Sequence, residues 1–325
     1  MRLKDLGEDA FLRELQRRFP AAGPKAVLGI GDDAAILDPP EGERLLLTTD
    51  SLVEGVHFSR RWMPPRYLGR KAVAVNASDI AAMGGEALYL LLSLGVPRDG
   101  EVEPLWALVE GVYERARELG MSLVGGNLAS SPAGVVIDVT VVGATISRRA
   151  LRRTGAKPGD GIYLSGRIGA SSTGLKLLRQ GAVLAPGGGL IVPETLRAGP
   201  VTLAEACIRA HIDPEPRVAL GAELNRGRLA TAAIDVSDGL SLDLHRLCWA
   251  SGVGARIEEG ALPIAPGLLV WERLWKRDPT LAAVSGGEDY ELLFTSRSGA
   301  KLDRLRDRGD FFVTRIGEVT PGGRV

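Results

Sequence analysis

Five short acidic motifs recur along the 325-residue chain, each setting an aspartate beside glycine or at the end of an apolar run. They are Gly31-Asp32-Asp33, Thr48-Thr49-Asp50, Asn76-Ala77-Ser78-Asp79, Asp235-Val236-Ser237-Asp238-Gly239 and Gly286-Gly287-Glu288-Asp289. A carboxylate at a strand end is held by rigid backbone yet faces open space, and a neighbouring glycine lets a ligand approach the main chain. Carboxylates gathered together repel unless a proton or a cation lies between them. Oxygen-rich donors without thiolate or paired imidazole suit Mg²⁺, which keeps waters and phosphate oxygens in its shell. Any one of these motifs alone also reads as an ordinary turn, and Ser237 or Asp238 as the cap of the helix that follows.

Other chemistries find less support. No Gly-Lys-Ser or Gly-Lys-Thr completes a Walker loop, and no His-Arg-Asp catalytic loop accompanies a glycine-rich loop. A Gly-x-Ser-x-Gly elbow is lacking too. His57, His211 and His245 do not pair at a zinc-ligand spacing; His57, close behind Asp50, is a candidate substrate contact, and His245 reads as structural or exposed. Gly166-Arg167-Ile168-Gly169 precedes a helix, an arrangement able to bind an anion. Arg153 beside the turn Gly155-Ala156-Lys157-Pro158-Gly159-Asp160 is a candidate phosphate clamp. Cys207 and Cys248 read as buried, reduced thiols rather than a disulfide framework.

The elements that must position these residues follow from hydrophobic periodicity. Helices are predicted over 8–19, 66–83, 101–119, 169–180 and 238–251, and strands over 45–49, 88–96, 122–124, 135–146, 161–165, 231–235 and 290–295. Lys71, Val75 and Asp79 then share one helix face. Residues 183–200 read as an irregular surface connection. Strands and helices mix without strict alternation, which predicts an α/β or α+β fold. The basic stretch after Ile146 marks a boundary between domains 1–147 and 148–325. Forty basic residues balance forty acidic ones, so no net field draws in nucleic acid or an anionic membrane. The charged first nineteen residues lack a signal-peptide core. No apolar run reaches membrane-spanning length, and the expectation is a cytoplasmic protein.

Taken in order, the runs 29–35, 48–58, 71–84, 153–160, 235–240 and 285–292 resemble thiamine-monophosphate kinase. The match extends from near residue 25 to near residue 295. That family is part of the aminoimidazole ribonucleotide synthetase superfamily. The resemblance implies a two-domain fold of that type and a homodimer in which two N-terminal sheets pair into a barrel. The first domain would bind ATP and metal and form the dimer, and the second would be an α/β domain. It further implies ATP as co-substrate, several Mg²⁺ ions and thiamine monophosphate as acceptor, with direct in-line transfer and no general base. By position, Asp33, Thr48, Thr49, Asp50, Asp79, Asn127, Asp235 and Asp238 match metal-binding residues. Gly126, Arg153 and Ser237 match ATP contacts, and His57 and Glu288 match contacts to the thiamine phosphate. Family members often carry Gly-Gly-Asp where this chain has Gly125-Gly126-Asn127, replacing a carboxylate by a neutral amide. The rival readings are another ATP-dependent enzyme of the superfamily, a cyclo-ligase or dehydratase, and a nucleotide- or thiamine-phosphate-binding module without turnover.

Overall fold

The computed structural model describes residues 2–322 apart from 7, 20–25, 31–33, 39, 186–188, 308 and 310. The Gly31-Asp32-Asp33 motif, with Asp33, therefore lies outside the described residues. The chain divides into two compact units, Met1–Ile80 with Glu86–Arg148, and Ala81–Gly85 with Arg149–Val325.

The first unit contains α1 (Leu3–Leu6), α2 (Glu8–Arg18), β1 (Ala26–Leu28), β2 (Ile36–Leu37), β3 (Leu45–Val53) and α3 (Pro65–Ala82). It continues with β4 (Glu86–Val96), α4 (Val102–Glu118), β5 (Ser122–Ser130) and β6 (Val136–Ala144). Its main sheet has the order β3-β6-β4-β5, parallel between β4 and β5 and antiparallel elsewhere. Val139, Val141, Ile137, Leu90 and Leu92 alternate onto one buried face. The paired helices α3 and α4 approach very closely: a Cβ at Gly69 would stand 2.0 Å from the Leu108 carbonyl oxygen, and one at Gly111 1.9 Å from that of Arg66. Only glycine permits this crossing, which fixes α3 and hence Asp79.

Two expectations are corrected here. The first strand runs on past Thr49 to Val53, and the strand starting at Ser122 does not stop at Val124. Gly125-Gly126-Asn127 looks like a turn in sequence, yet its backbone continues in parallel pairing with Leu91, Leu92 and Ser93. Long-range hydrogen bonding overrides the weak strand preference of glycine.

The second unit comprises β7 (Gly161–Ser165), α5 (Ala170–Arg179), β8 (Val183–Leu184), β9 (Leu190–Ile191), α6 (Val201–Ile212), α7 (Val218–Arg226), β10 (Ala232–Asp235) and α8 (Leu240–Ser251). Then come β11 (Gly254–Ile257), α9 (Pro266–Leu274), α10 (Pro279–Ser285), β12 (Leu292–Ser296), α11 (Gly299–Asp307) and β13 (Val313–Thr320). The sheet order is β10-β12-β7-β13-β11, antiparallel throughout, so this unit is α+β in character. Both faces are covered. Ile162, Leu164, Ile234, Leu293 and Ile316 pack with Leu244, Leu247 and Leu268 on one side. Tyr163, Ala233, Leu292, Phe294 and Val313 pack with Leu220, Leu224 and Leu302 on the other. Every β7 and β12 residue is buried, which is why these strands read as unbroken apolar runs. Cys207 and Cys248 are free and buried. Burial pushes their thiols up to about 12 and about 11, so neither is a thiolate at neutral pH.

Candidate active site

In the first unit, strand alternation sorts the candidate ligands. Thr48 and Asp50 point from β3 to the same face, and the Thr48 hydroxyl donates to Asp79 Oδ2 at 2.5 Å. Burial raises the Asp50 carboxyl, nearby Asp79 raises it further, and His57 pulls it down. His57 Nδ1 accepts the Val53 N–H at 3.1 Å, which leaves Nε2 as the outward-facing atom. Thr49 turns the other way, where its hydroxyl donates to the Val139 carbonyl at 3.2 Å and accepts from Thr140 at 3.1 Å.

The register places Asn127 beside Ser93, Ser93 beside Asp138, and Asp138 beside Ser51. That row lies on the Thr49 face. Thr48, Asp50 and Asp79 are thus brought together, while Thr49 and Asn127 form a separate polar row. A cavity of about 960 Å³ opens along this second row, lined by Gly125, Gly126, Asn127, Asp138, Thr140 and Arg13 among others. Gly29, Ile30, Ala34 and Ala35, the flanks of the 31–33 motif, line it as well. The volume is in the range of small-molecule and cofactor pockets. Gly126 has no room for a side chain: its Cβ would come within 1.9 Å of the Leu92 carbonyl oxygen.

In the second unit, Asp235 ends β10 and is 4% exposed, and Ser237 and Asp238 follow in the loop before α8. The loop is held from within by a residue that the sequence reading did not single out. Asp243 Oδ2 accepts the N–H groups of Ser237 and Asp238, both at 3.0 Å. Arg246 Nη1 bridges Asp243 Oδ1 at 2.8 Å and Asp238 Oδ2 at 2.5 Å. Asp238 does not cap α8, whose N-cap is Gly239.

A second loop is stitched to the first. Glu288 N–H donates to the Ser237 carbonyl at 2.7 Å, and Tyr290 N–H to that of Val236 at 2.9 Å. Asp289 accepts the N–H of Gly169 at 2.7 Å and of Ser171 at 3.3 Å. The anion site expected at the start of α5 is therefore filled by the protein's own carboxyl. Burial drives that carboxyl up to about 7, against the lowering effect of those two bonds. Glu288 Oε2 lies 3.2 Å from Nδ1 of His211. Arg153 is exposed, and its carbonyl accepts from Ser251 Oγ at 2.9 Å. Among the described residues, no three His, Cys, Asp or Glu side chains converge on one metal position.

Both Asp243 and His211 could have been noticed in sequence. Asp243 interrupts the apolar stripe of Leu240, Leu244 and Leu247, and His211 that of Ala204, Cys207 and Ile208. A polar residue on an apolar stripe is buried with a partner or costs stability.

Comparison with known proteins now adds identity to geometry. Residues 31–145 match the AIR synthase related protein N-terminal domain, and residues 157–325 match its C-terminal domain. The chain is 38% identical over 269 residues to the thiamine-monophosphate kinase of Salmonella typhimurium, covering 82% of this chain and 75% of that one. It belongs to the thiamine-monophosphate kinase family. A solved thiamine-monophosphate kinase from Stenotrophomonas maltophilia superposes with a TM-score of 0.78 at 35% identity, covering 92% of this chain and 90% of the other. The structure described as AaThiL complexed with AMPPCP and TMP gives 0.75 at 32% identity, over 100% and 94% of the two chains. The thiamine-monophosphate kinase fold thus spans both units, including the α6 and α8 helices that carry His211 and Asp243.

Proposed function

We propose that this protein transfers the γ-phosphoryl group of ATP to thiamine monophosphate, giving ADP and thiamine diphosphate. The observation that carries the reading is end-to-end similarity, in sequence and fold, to thiamine-monophosphate kinases, one of them solved with an ATP analogue and the acceptor. The acceptor phosphate oxygen is an anion at neutral pH, so the reaction needs no strong base. Positioning and charge compensation then carry most of the catalysis.

The residues fit Mg²⁺. Asp79 raises the cost of ionising Asp50, as expected of a pair arranged to share a cation. Thr48, Asp50 and Asp79 would hold metal in the first unit together with Asp33, and Asp235 and Asp238 in the second. Bound Mg²⁺ would neutralise phosphate oxygens that otherwise repel one another. Thr49 and Asn127, on the cavity face, would meet a further ion through a neutral oxygen or a water. Gly126, Arg153 and Ser237 would contact ATP, and His57 and Glu288 the thiamine phosphate. Gly126 offers a nucleotide bare backbone.

We further propose a homodimer formed through the β3-β6-β4-β5 sheet. Leu45 and Leu47 stand exposed at its β3 edge, Leu47 at 69%, apolar surface that a second copy would cover. No helix among the described residues is long and apolar enough to cross a membrane. We place the protein in the cytoplasm, where ATP is available.

The deciding experiment incubates the protein with ATP, Mg²⁺ and thiamine monophosphate and separates the products by chromatography. One ADP per thiamine diphosphate is expected. ADP formed only with an aminoimidazole ribonucleotide precursor would overturn the reading.

A further inference from the structure

The second unit buries a histidine with no role in the scheme above. His211 sits in the last turn of α6 at 1% exposure. Its Nδ1 lies 3.1 Å from Ser171 Oγ and 3.2 Å from Glu288 Oε2. An ionised carboxylate only accepts, so this geometry requires the proton on Nδ1, with the Ser171 oxygen accepting from the same N–H. Nε2 is buried on the far side of the ring. The tautomer and the ring orientation are therefore set by Glu288 and Ser171 together.

Glu288 itself is held in an unusual way. Its backbone φ is 63° and that of Tyr290 is 52°, left-handed conformations that non-glycine residues rarely adopt. Main-chain bonds to Ser237 and Val236 and the Asp289 cap on α5 hold the loop in this state. Strain of this kind persists only where the surroundings over-determine it, and it collects at ligand-binding positions. The Glu288 side chain is 28% exposed, with one oxygen directed at the buried imidazole. An ordinary surface glutamate loses rotamer freedom when it binds a ligand; one fixed in advance from behind does not.

We propose that His211 is a positioning residue for the acceptor: it orients the Glu288 carboxylate toward the electropositive organic end of thiamine monophosphate, and Ser171 fixes the imidazole. The inference rests on the thiamine-monophosphate reading of the site and on Glu288 as an acceptor contact. Thiamine monophosphate has two chemically opposite ends. Its phosphate is repelled by a carboxylate. Its permanently cationic thiazolium ring and its aminopyrimidine are complemented by one. A glutamate locked by a buried histidine suits the second end, and the metal-binding aspartates suit the first.

The test compares His211→Leu, which removes the donor, with His211→Asn, whose amide N–H₂ lies close to the Nδ1 position. Binding of thiamine, thiamine monophosphate and AMP-PCP is measured by calorimetry alongside steady-state kinetics. His211→Leu is expected to weaken thiamine and thiamine monophosphate by about tenfold, the worth of one hydrogen bond to a charged group, with AMP-PCP affinity and kcat within about twofold. His211→Asn should recover most of the loss. Glu288→Gln should weaken thiamine and thiamine monophosphate at least as much as His211→Leu does, and adding His211→Leu to it should weaken them no further. Should His211→Leu fail to fold, Ser171→Ala replaces it, with a loss of about threefold expected only while Glu288 is present. Equal impairment by Leu and Asn, additive effects of the two sites, or a parallel fall in AMP-PCP affinity would overturn the positioning role. Wild-type turnover separates the two levels. No thiamine diphosphate from the wild type removes both readings, whereas normal wild-type turnover with unchanged thiamine affinity in the variants removes this one alone.

Discussion

The two units handle clustered carboxylates in opposite ways. In the first, Asp50 faces Asp79 across the β3–α3 interface, and Asp79 adds to burial in making ionisation of Asp50 harder, with His57 opposing them. In the second, the protein brings its own cation: Arg246 bridges Asp238 and Asp243, and two backbone N–H groups complete the Asp243 shell. On the proposed reading, the first cluster would be completed by a bound ion, whereas the second is already braced by Arg246. Electrostatic strain and pre-organisation are thus divided between domains. The same contrast explains why aspartate-rich motifs that look alike in sequence need not respond alike to mutation.

The largest effect that probes this contrast is on turnover. Asp50→Asn and Asp238→Asn should each lower kcat by about 10³, the scale seen when a charge-stabilising group is lost from a phosphoryl- or acyl-transfer site. Circular dichroism should show both folds intact. Their metal-free melting temperatures should diverge: Asp50→Asn melts at or above wild type because like-charge stress is relieved, while Asp238→Asn melts slightly below it. Near-normal turnover in Asp238→Asn would remove that residue from the metal set.

An intermediate effect is expected on stability. Asp243→Ala strips two backbone N–H groups and Arg246 of their acceptor and should cost about 2–4 kcal/mol in denaturant titrations. Arg246→Met, at a side chain 38% exposed, should cost no more than about 1 kcal/mol. Equal costs would show that the bridge, not the buried acceptor, holds the loop.

The smallest effect is in pH dependence. Asp289 is raised to about 7 in the fold and titrates near 4 when unfolded. A carboxyl raised by folding favours the native state while protonated. Its contribution is full below the unfolded value and is lost as pH rises through about 7. The metal-free melting temperature should therefore fall between pH 5 and pH 8 by roughly a few degrees, and Asp289→Asn should flatten that slope. Asp50, also raised, contributes in the same direction, but added Mg²⁺ should cancel its share and not that of Asp289. A slope unaffected by Asp289→Asn would show that this carboxyl is not the source.

How much of this was legible in the sequence depends on the distance over which each feature is decided. Aspartates beside glycine, and the helices carrying Asp79 and following Asp238, were readable because local pattern sets them. The end of β5 was misjudged because Gly125-Gly126 is a turn signal locally and a strand only through its parallel partner β4. The split of Thr48 and Asp50 from Thr49 and Asn127 needed the full β3-β6-β4-β5 register. His211 and Asp243 interrupt apolar helix stripes, which marks them as buried polar residues, but their partners, Glu288 and the Ser237–Asp238 backbone, are contacts that no spacing rule encodes. β11, β13 and helices α6, α7, α9, α10 and α11 of the second unit were not read, and β8 and β9 lie in the stretch read as irregular.

The glycine at position 126 carries a consequence for inhibitor design. Its Cα abuts the Leu92 carbonyl so tightly that any side chain there would force β4 and β5 apart. A compound that draws its affinity from the exposed backbone of this strand would meet a surface that point mutation cannot bulk up without damaging the sheet. Resistance would have to arise elsewhere around the cavity, at replaceable lining residues such as Arg13, Gln16 or Leu12.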